Sequence, residues 1–588
     1  MVAALLMLST AAFGSEPAAS DLIPEARRVL RYLEEVYGRK TLTGISEWGG
    51  GPMRVQAATA HEPAMRAMGA FVAVQPKFGP GYDEALQRNI AQCRRWWHER
   101  GGIVSMDFHW GKPGDPRGTA WVKRSGPFDV GKGVTPGTPE HEAVMADLRR
   151  TADYLAQLTE ARVPVLWRPL HEIEGAWFWW TDVEEPENTA ALWRLMFDYF
   201  VNERGLHNLI WVYSSAQGHG GVPKDAPVED RYAYRRRFYP GDEYVDIAGV
   251  DIYVGTRMFR EDPIPWAYET VQSVAPNKMA AMCECGALPN PDLMEAEGIP
   301  WLYCLAWFAL DGHNPAGWMR ETYPHERYLT LDELPALAPH NVAPRVGITS
   351  PRSGAVRAAG RVKLEGFAAD CDGNLRDVRL YRVGAEWKNW FDRRGEGLQD
   401  AAEAGELLGQ ATVAEEGRWA FTWQDPPPGL SDVVAVARDA DGRSARSNVL
   451  RMGVGMRYLS RGAAVTASSG QDSAANAADG DLFTFWFAGK REPQTLTVDL
   501  GSAQSVGGVI TTWWNAYAED YRIEVSVDGE TWQEVGRIED NPNYRGDTDV
   551  FRFEPVRARH VRLHVSKRGT NWGGLWLQEL GVFGSIPR

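Results

Sequence analysis

Between about residues 21 and 335, short apolar runs alternate with longer helix-like segments. The apolar runs are TLTGISEW (41–48), AFVAVQPKF (70–78), GIVSMDFHW (102–110), VPVLWRPLHE (163–172), LIWVYS (209–214), VDIAGVDIY (245–253), MAAMCECG (279–286) and LYCLAWFAL (302–310). Between them lie segments such as YDEALQRNIAQCRRWWHER (82–100) and HEAVMADLRRTADYLAQLTEA (141–161). Eight β units joined by helical crossovers over about 300 residues predict a (β/α)8 TIM barrel. A doubly wound open sheet is the alternative. No Gly-rich phosphate loop follows any of these strands, which counts against it. Beyond the Pro- and Ala-rich stretch LPALAPHNVAPR (334–345) the pattern changes to short β-like runs and turns, over 343–453 and again over 454–588.

Composition narrows the function classes. The chain has 588 residues, which at about 100–200 per domain implies two to four domains. Its 63 Lys and Arg against 78 Asp and Glu give a net charge of −15, which argues against nucleic-acid and anionic-membrane partners. The short basic run RYAYRRRF (231–238) reads as a solvated face or as partners for carboxylates. Five cysteines without a pairing pattern exclude a disulfide scaffold, and Cys283-x-Cys285 lacks the second pair a zinc site needs. No His-Glu-x-x-His occurs, so a zinc hydrolase is not indicated and no catalytic cofactor is expected. MVAALLMLSTAAFGS at the start has the apolar core and small-residue end of a secretory signal, although no basic start precedes it. Residues 1–20 are therefore expected to be a leader and the protein to be secreted or periplasmic. No later run of about 18 apolar residues is present to span a membrane. A monomer is expected.

In a barrel of this type, reactive groups stand at the C-terminal ends of the strands. Those ends carry Glu47, His109, Glu172, Tyr253, Glu284 and Trp307. Side chains alternate along a strand, so Cys283 and Cys285 face one way and Glu284 the other. With the cysteines packed against helices, Glu284 points into the barrel mouth; the bland alternative is a structural Glu bound to an Arg. Two strand-end carboxylates in a Trp-rich setting suggest glycoside hydrolysis. One carboxylic acid protonates the leaving oxygen, and the other attacks the sugar or activates water. The 25 Trp, against 20 Tyr and 20 Phe, fit this chemistry, because indole offers a flat apolar face to a sugar ring and an N–H to a hydroxyl.

WRPLHEIEGAWFWW (167–180) resembles the strand-4 motif of glycoside hydrolase family 26, best known for β-mannanases. VDIAGVDIY and the Glu284 strand extend the resemblance over most of 25–325. The resemblance implies a retaining double displacement on a mannan-type polysaccharide, with β-1,3-xylan and mixed-linkage glucan as the other substrates of the family. A non-catalytic carbohydrate-binding protein on the same barrel is the other reading; the presence of both glutamates counts against it. The resemblance makes Glu172 the acid/base and Glu284 the nucleophile. It also makes His109, His171, Trp177, Asp251, Tyr253 and Trp307 substrate contacts, with Tyr253 orienting Glu284. Arg168 is either a partner of a catalytic carboxylate or a barrel-floor residue. Glu174 departs from the Asn usual in the family, as does Trp110 from Pro; a third carboxylate at 174 would alter the pKa of the acid or the acceptor-side contacts. Trp96 and Trp97 read as packing, and Trp179 and Trp180 as either packing or loop support.

Residues 343–453, beginning VGITSPRSGAVRAAGRVKLEGFAADCDGNLRDVRLY (346–381), resemble bacterial immunoglobulin-like modules and read as a spacer with a long insertion at about 384–418. Residues 454–588 contain VTASSGQ, NAADGDLFTFW, LTVDLG, YRIEVSVDGETW, RHVRLHV and WLQELGVFG. Together these resemble a discoidin-like (coagulation factor 5/8 type C) β-sandwich, the fold of family 32 carbohydrate-binding modules. That resemblance implies a structural calcium at Asp479, Asp481, Thr484 and Glu579, whose oxygens suit the ion. A turn held by its own hydrogen bonds is the alternative. Trp513, Trp514 and Trp572 are the candidate sugar platforms of this module.

Overall fold

The computed structural model describes residues 16–47, 51–68, 82–254, 260–310, 312–383, 405–541 and 548–587. The chain forms two compact units. The first comprises residues 1–52, 63–314 and 321–342, and the second 53–62, 315–320 and 343–588.

The first unit is a (β/α)8 barrel. Its strands are β1 (Thr41–Ser46), β2 (Met65–Ala67), β3 (Ile103–Phe108), β4 (Val165–Pro169), β5 (Leu209–Ala216), β6 (Ile247–Ile252), β7 (Met279–Cys285) and β8 (Tyr303–Ala306). Each pairs in parallel with the next, and β1 pairs with both β2 and β8, closing the ring. A short ninth strand, β9 (Tyr328–Leu329), adds to β1. Seven of the eight barrel strands, all but β2, are buried at every position. This is why the strands read as continuous apolar runs: each is covered by the barrel interior on one face and by helices on the other. Helix Pro139–Glu160 starts where Thr138 accepts a hydrogen bond from the His141 N–H and Pro139 pre-sets the first turn. Its face of Val144, Leu148, Ala152, Leu155 and Leu158 is buried.

The predicted strand at 70–78 lies outside the described residues, and the second barrel strand is Met65–Ala67. A leader of residues 1–20 runs into the fold, because the Ala18 N–H donates to Asp246 and Ala19 is buried. Of the 384–418 insertion, the described part includes strand Glu406–Gln410, which pairs with Leu375–Val383, and strand Thr412–Val413, which pairs with Arg418–Gln424.

The second unit contains two β-sandwich regions. In the first, strands 345–350, 361–369, 412–413 and 418–424 form one sheet. Strands 355–357, 375–383, 406–410, 429–439 and 450–454 form the other. Val346, Leu364, Trp419 and Trp423 from one sheet meet Val378, Leu380, Val433 and Met452 from the other in a shared core. In the C-terminal region, seven strands carry a core that includes Trp486, Trp513, Val509, Leu563 and Leu577. No helix among the described residues is long and apolar enough to cross a membrane.

Candidate active site

Residues at the ends of β3, β4, β6 and β7 converge on one charged cluster. Arg168 on β4 donates from Nη1 to Asp251 Oδ2 at 2.8 Å and from Nη2 to Glu284 Oε1. The Tyr253 hydroxyl donates to the other Glu284 oxygen, and Ser214 Oγ donates to Asp251 Oδ1 at 2.6 Å. Glu284 therefore has a cation on one oxygen and a phenol on the other, which fix the carboxyl in one orientation. Of the two readings of Arg168, the structure has the carboxylate partner. The cysteines flanking Glu284 are fully buried, Cys283 lying 3.1 Å from the Tyr303 hydroxyl, as strand alternation requires.

Glu172 stands on a constrained turn just past β4. Leu170 and Glu172 have φ of 47° and 51°, in the left-handed region that non-glycine residues rarely adopt, and Ala176 has φ 67°. The turn is held from beneath. Ile173 N–H donates to the Ser214 carbonyl, and Gly220 N–H to the Glu174 carbonyl. Backbone strain maintained by surrounding contacts is typical of positions that must aim one side chain. Burial, and then the charge of Glu284, push the Glu172 carboxyl up to about 7, against the lowering hydrogen bond from Trp177 Nε1 at 2.6 Å. Glu172 is thus protonated over a large share of the molecules at neutral pH.

His109 and His171 lie side by side, His109 Nδ1 3.3 Å from His171 Nε2. Burial and then Arg168 hold His109 down to about 4, and the same causes hold His171 well below its usual value. Both rings are neutral at pH 7. His109 Nε2 and His171 Nδ1 are buried without a protein hydrogen bond, so each ring keeps one free polar atom. Phe178 packs edge-on to both imidazoles, and Trp180 lies behind them.

Several expected residues sit elsewhere. Glu174 does not reach the cleft: it is completely buried and ion-paired to Arg235, which also donates to the Ala216 carbonyl at 2.9 Å. The basic run 231–238 thus supplies carboxylate partners, Arg235 to Glu174 and Arg237 to Glu187. Trp179 and Trp180 are core residues, Trp179 Nε1 donating to the Trp110 carbonyl at 2.6 Å. Trp96 and Trp97 are buried as expected. Trp307 is partly exposed just past β8, where its backbone N–H donates to the Cys285 carbonyl at 2.9 Å, and Trp177 is partly exposed beside Glu172. Asp107 was missed. It is buried on β3 two residues before His109, hence on the same face. Burial pushes it up to about 6 against the pull of Arg168. Strand alternation from His109 was the signal that could have found it.

In the C-terminal region the predicted oxygen ligands gather around Gly480. Asp479 accepts from the Asp481 N–H at 2.7 Å and from Thr484 Oγ1 at 2.9 Å. Glu579 accepts from the Tyr458 hydroxyl and from the Gly480 N–H at 3.1 Å. Asp481 instead turns to Arg320, which holds both its oxygens. Burial pushes Asp479 up to about 6 and Glu579 well above its usual value, with Asp479 and Asp481 adding to the rise at Glu579. Trp513 and Trp514 are not sugar platforms. Trp513 lies in the sandwich core against Tyr521, and Trp514 is buried with its edge to Phe485 and Arg54 over its face. Trp572 is 53% exposed and meets Trp576 edge-on.

Comparison with known proteins places these features in context. Residues 18–328 match glycosyl hydrolase family 26, and residues 462–578 match the F5/8 type C domain. A mannan endo-1,4-beta-mannosidase of Thermothelomyces thermophilus is 32% identical over 329 residues, which cover 53% of this chain and 61% of that protein. Mannan endo-1,4-beta-mannosidase B of Piromyces sp is 29% identical over 332 residues, covering 53% of this chain and 52% of its own. The chain thus spans between half and two thirds of the length of these relatives. A solved beta-mannanase from a symbiotic protist of the termite Reticulitermes speratus, complexed with gluco-manno-oligosaccharide, is 29% identical with a TM-score of 0.47. That match covers 54% of this chain and 97% of the protist chain.

Proposed function

The chain belongs to glycosyl hydrolase family 26, and from that premise we propose that its barrel is a retaining endo-β-1,4-mannanase. The observation that carries the chemistry is the unequal treatment of two carboxyls. Glu284 is paired with Arg168 and accepts a hydrogen bond from Tyr253, while burial and the charge of Glu284 push Glu172 up to about 7. The Glu284 carboxylate attacks the anomeric carbon, and the glycosidic C–O bond breaks as Glu172 gives its proton to the leaving oxygen. Once Glu284 is esterified its charge is gone, so the pKa of Glu172 falls and it can act as the base. Glu172 then takes a proton from water, whose oxygen attacks the same carbon and releases Glu284.

Around this pair, the free ring nitrogens of His109 and His171 suit sugar hydroxyls, as do Asp251 and Tyr253 as orienting groups. Trp177 and Trp307 offer apolar faces. The substrate assignment to mannan follows the similarity to mannan endo-1,4-beta-mannosidases. The C-terminal region is read as a carbohydrate-binding module in which exposed Trp572 is the platform. The oxygens of Asp479, Thr484 and Glu579 fit a structural calcium by their chemistry, and burial raises the pKa of the two carboxyls, whereas the Arg320 ion pair makes Asp481 an unsuitable ligand. The leader-like start supports a secreted or periplasmic protein. Product analysis on galactomannan, glucomannan, β-1,3-xylan and mixed-linkage glucan in parallel tests the substrate. Manno-oligosaccharides from the first two and little turnover of the others are expected; preferential xylan or glucan cleavage would overturn the mannanase reading.

A further inference from the structure

The second unit contains a cavity of about 340 Å³ unrelated to the barrel mouth. Arg320, Arg352, Arg357 and Arg461 line it, and Asp481 is its one carboxylate. Arg320 binds Asp481 through both oxygens, so that negative charge is already matched. Arg352, Arg357 and Arg461 have no carboxylate partner among the described residues, and all three are exposed. In a chain of net charge −15, three uncompensated guanidinium groups around one concavity form a local field opposite to that of the molecule.

The walls are preformed. Gly354, with φ +89°, approaches so closely that a Cβ there would lie 2.1 Å from the Gly480 carbonyl oxygen. The Gly354 N–H donates to the Arg451 carbonyl at 2.8 Å, and Ser353 Oγ to the Val449 carbonyl at 3.0 Å. Arg451 is itself fixed by both oxygens of Asp432 and by Thr548. The fixed backbone leaves only the exposed arginine side chains to be ordered on binding. Guanidinium groups match planar carboxylates bidentately, and the volume accommodates one or two sugar rings.

We propose that this cavity is a binding site for an acidic saccharide, a uronic-acid residue held through its carboxylate by Arg352, Arg357 and Arg461. The choice of a saccharide rests on the polysaccharide-degrading reading above; the anion preference rests on the arginines alone. The test is calorimetric titration of the full chain with digalacturonate, with mannobiose and with sulfate. Saturable digalacturonate binding that weakens at least tenfold in Arg461→Ala and in Arg352→Ala, with no mannobiose heat from this site, is the expected result. Galactomannan turnover should be unchanged in both variants, which separates this site from the barrel. Three results would overturn the proposal: no saturable digalacturonate binding, binding unaltered in both variants, or sulfate binding without uronate binding. Loss of mannanase activity in the wild-type chain would instead strike the catalytic reading and leave the titration interpretable.

Discussion

At the barrel mouth, Tyr253 donates to Glu284 while Arg168 bridges Glu284 and Asp251; around Gly480, Tyr458 donates to Glu579 while Arg320 holds Asp481. Both clusters bury several carboxylates and partner them with one phenol and one guanidinium. They differ in what is left over. Around Gly480, Asp479 and Glu579 each accept two hydrogen bonds and sit within the module. At the barrel mouth, Glu172 stands partly exposed on a strained turn, beside two neutral histidines with free nitrogens. The same ingredients thus build a structural knot in one place and, in the proposed function, a proton-donating site in the other. The deciding features are a carboxyl that, among the described residues, accepts from Trp177 alone rather than from two donors, and its partial exposure.

The comparison breaks first at the barrel. Glu284→Ala is expected to lower kcat on galactomannan by on the order of 10⁴-fold or more, because it removes the proposed nucleophile. Glu172→Ala should lose a comparable factor on the polysaccharide and recover much of it on an aryl mannoside whose leaving group needs no proton. Steady-state kinetics on both substrates checks the pair; similar losses on both in Glu172→Ala would deny it the acid role.

A smaller effect is expected at Gly480. Calcium should raise the unfolding temperature of the second unit by a few degrees, and Asp479→Asn should remove that gain. Because Asp479 is pushed up to about 6 and must ionise to bind a cation, the gain should grow as pH rises through 6. Calorimetry with and without chelator measures this. A gain that survives in Asp479→Asn would place the ion elsewhere.

The smallest effect sharpens the pKa argument. Free enzyme needs protonated Glu172, so kcat/KM should fall as pH rises through about 7. Trp177 donates to the charged form and therefore lowers this pKa. Trp177→Phe removes that donor, and the alkaline limb should move up by a few tenths to about one pH unit. A downward shift in the pH profile would contradict the hydrogen bond's assigned direction.

The two regions were also legible to different degrees. Continuous apolar runs at β3 to β8 gave the barrel, because parallel strands covered on both faces leave a strong local pattern. Glu172 and Glu284 were visible as charged residues at the ends of such runs. The partner of Glu174 was not, because Arg235 lies 61 positions away and meets it only through the fold. The tryptophan excess proved harder still. Trp513 and Trp572 look alike in sequence, yet one is in the sandwich core and the other 53% exposed. Trp96, Trp97, Trp110, Trp167, Trp179, Trp180, Trp193, Trp211 and Trp301 are fully buried, so much of the excess is packing. Indole is large, apolar and single-donor, and so serves a core and a sugar surface equally well. Only long-range contacts separate the two uses.

The central claim is the division of labour between the two barrel glutamates, and covalent trapping tests it most directly. A 2-deoxy-2-fluoro-mannosyl donor with a good leaving group should inactivate the enzyme in a time-dependent way. Peptide mass spectrometry should then find one sugar on the peptide carrying Glu284. A label on Glu172, or turnover with no trapped ester and inverted product, would contradict the account.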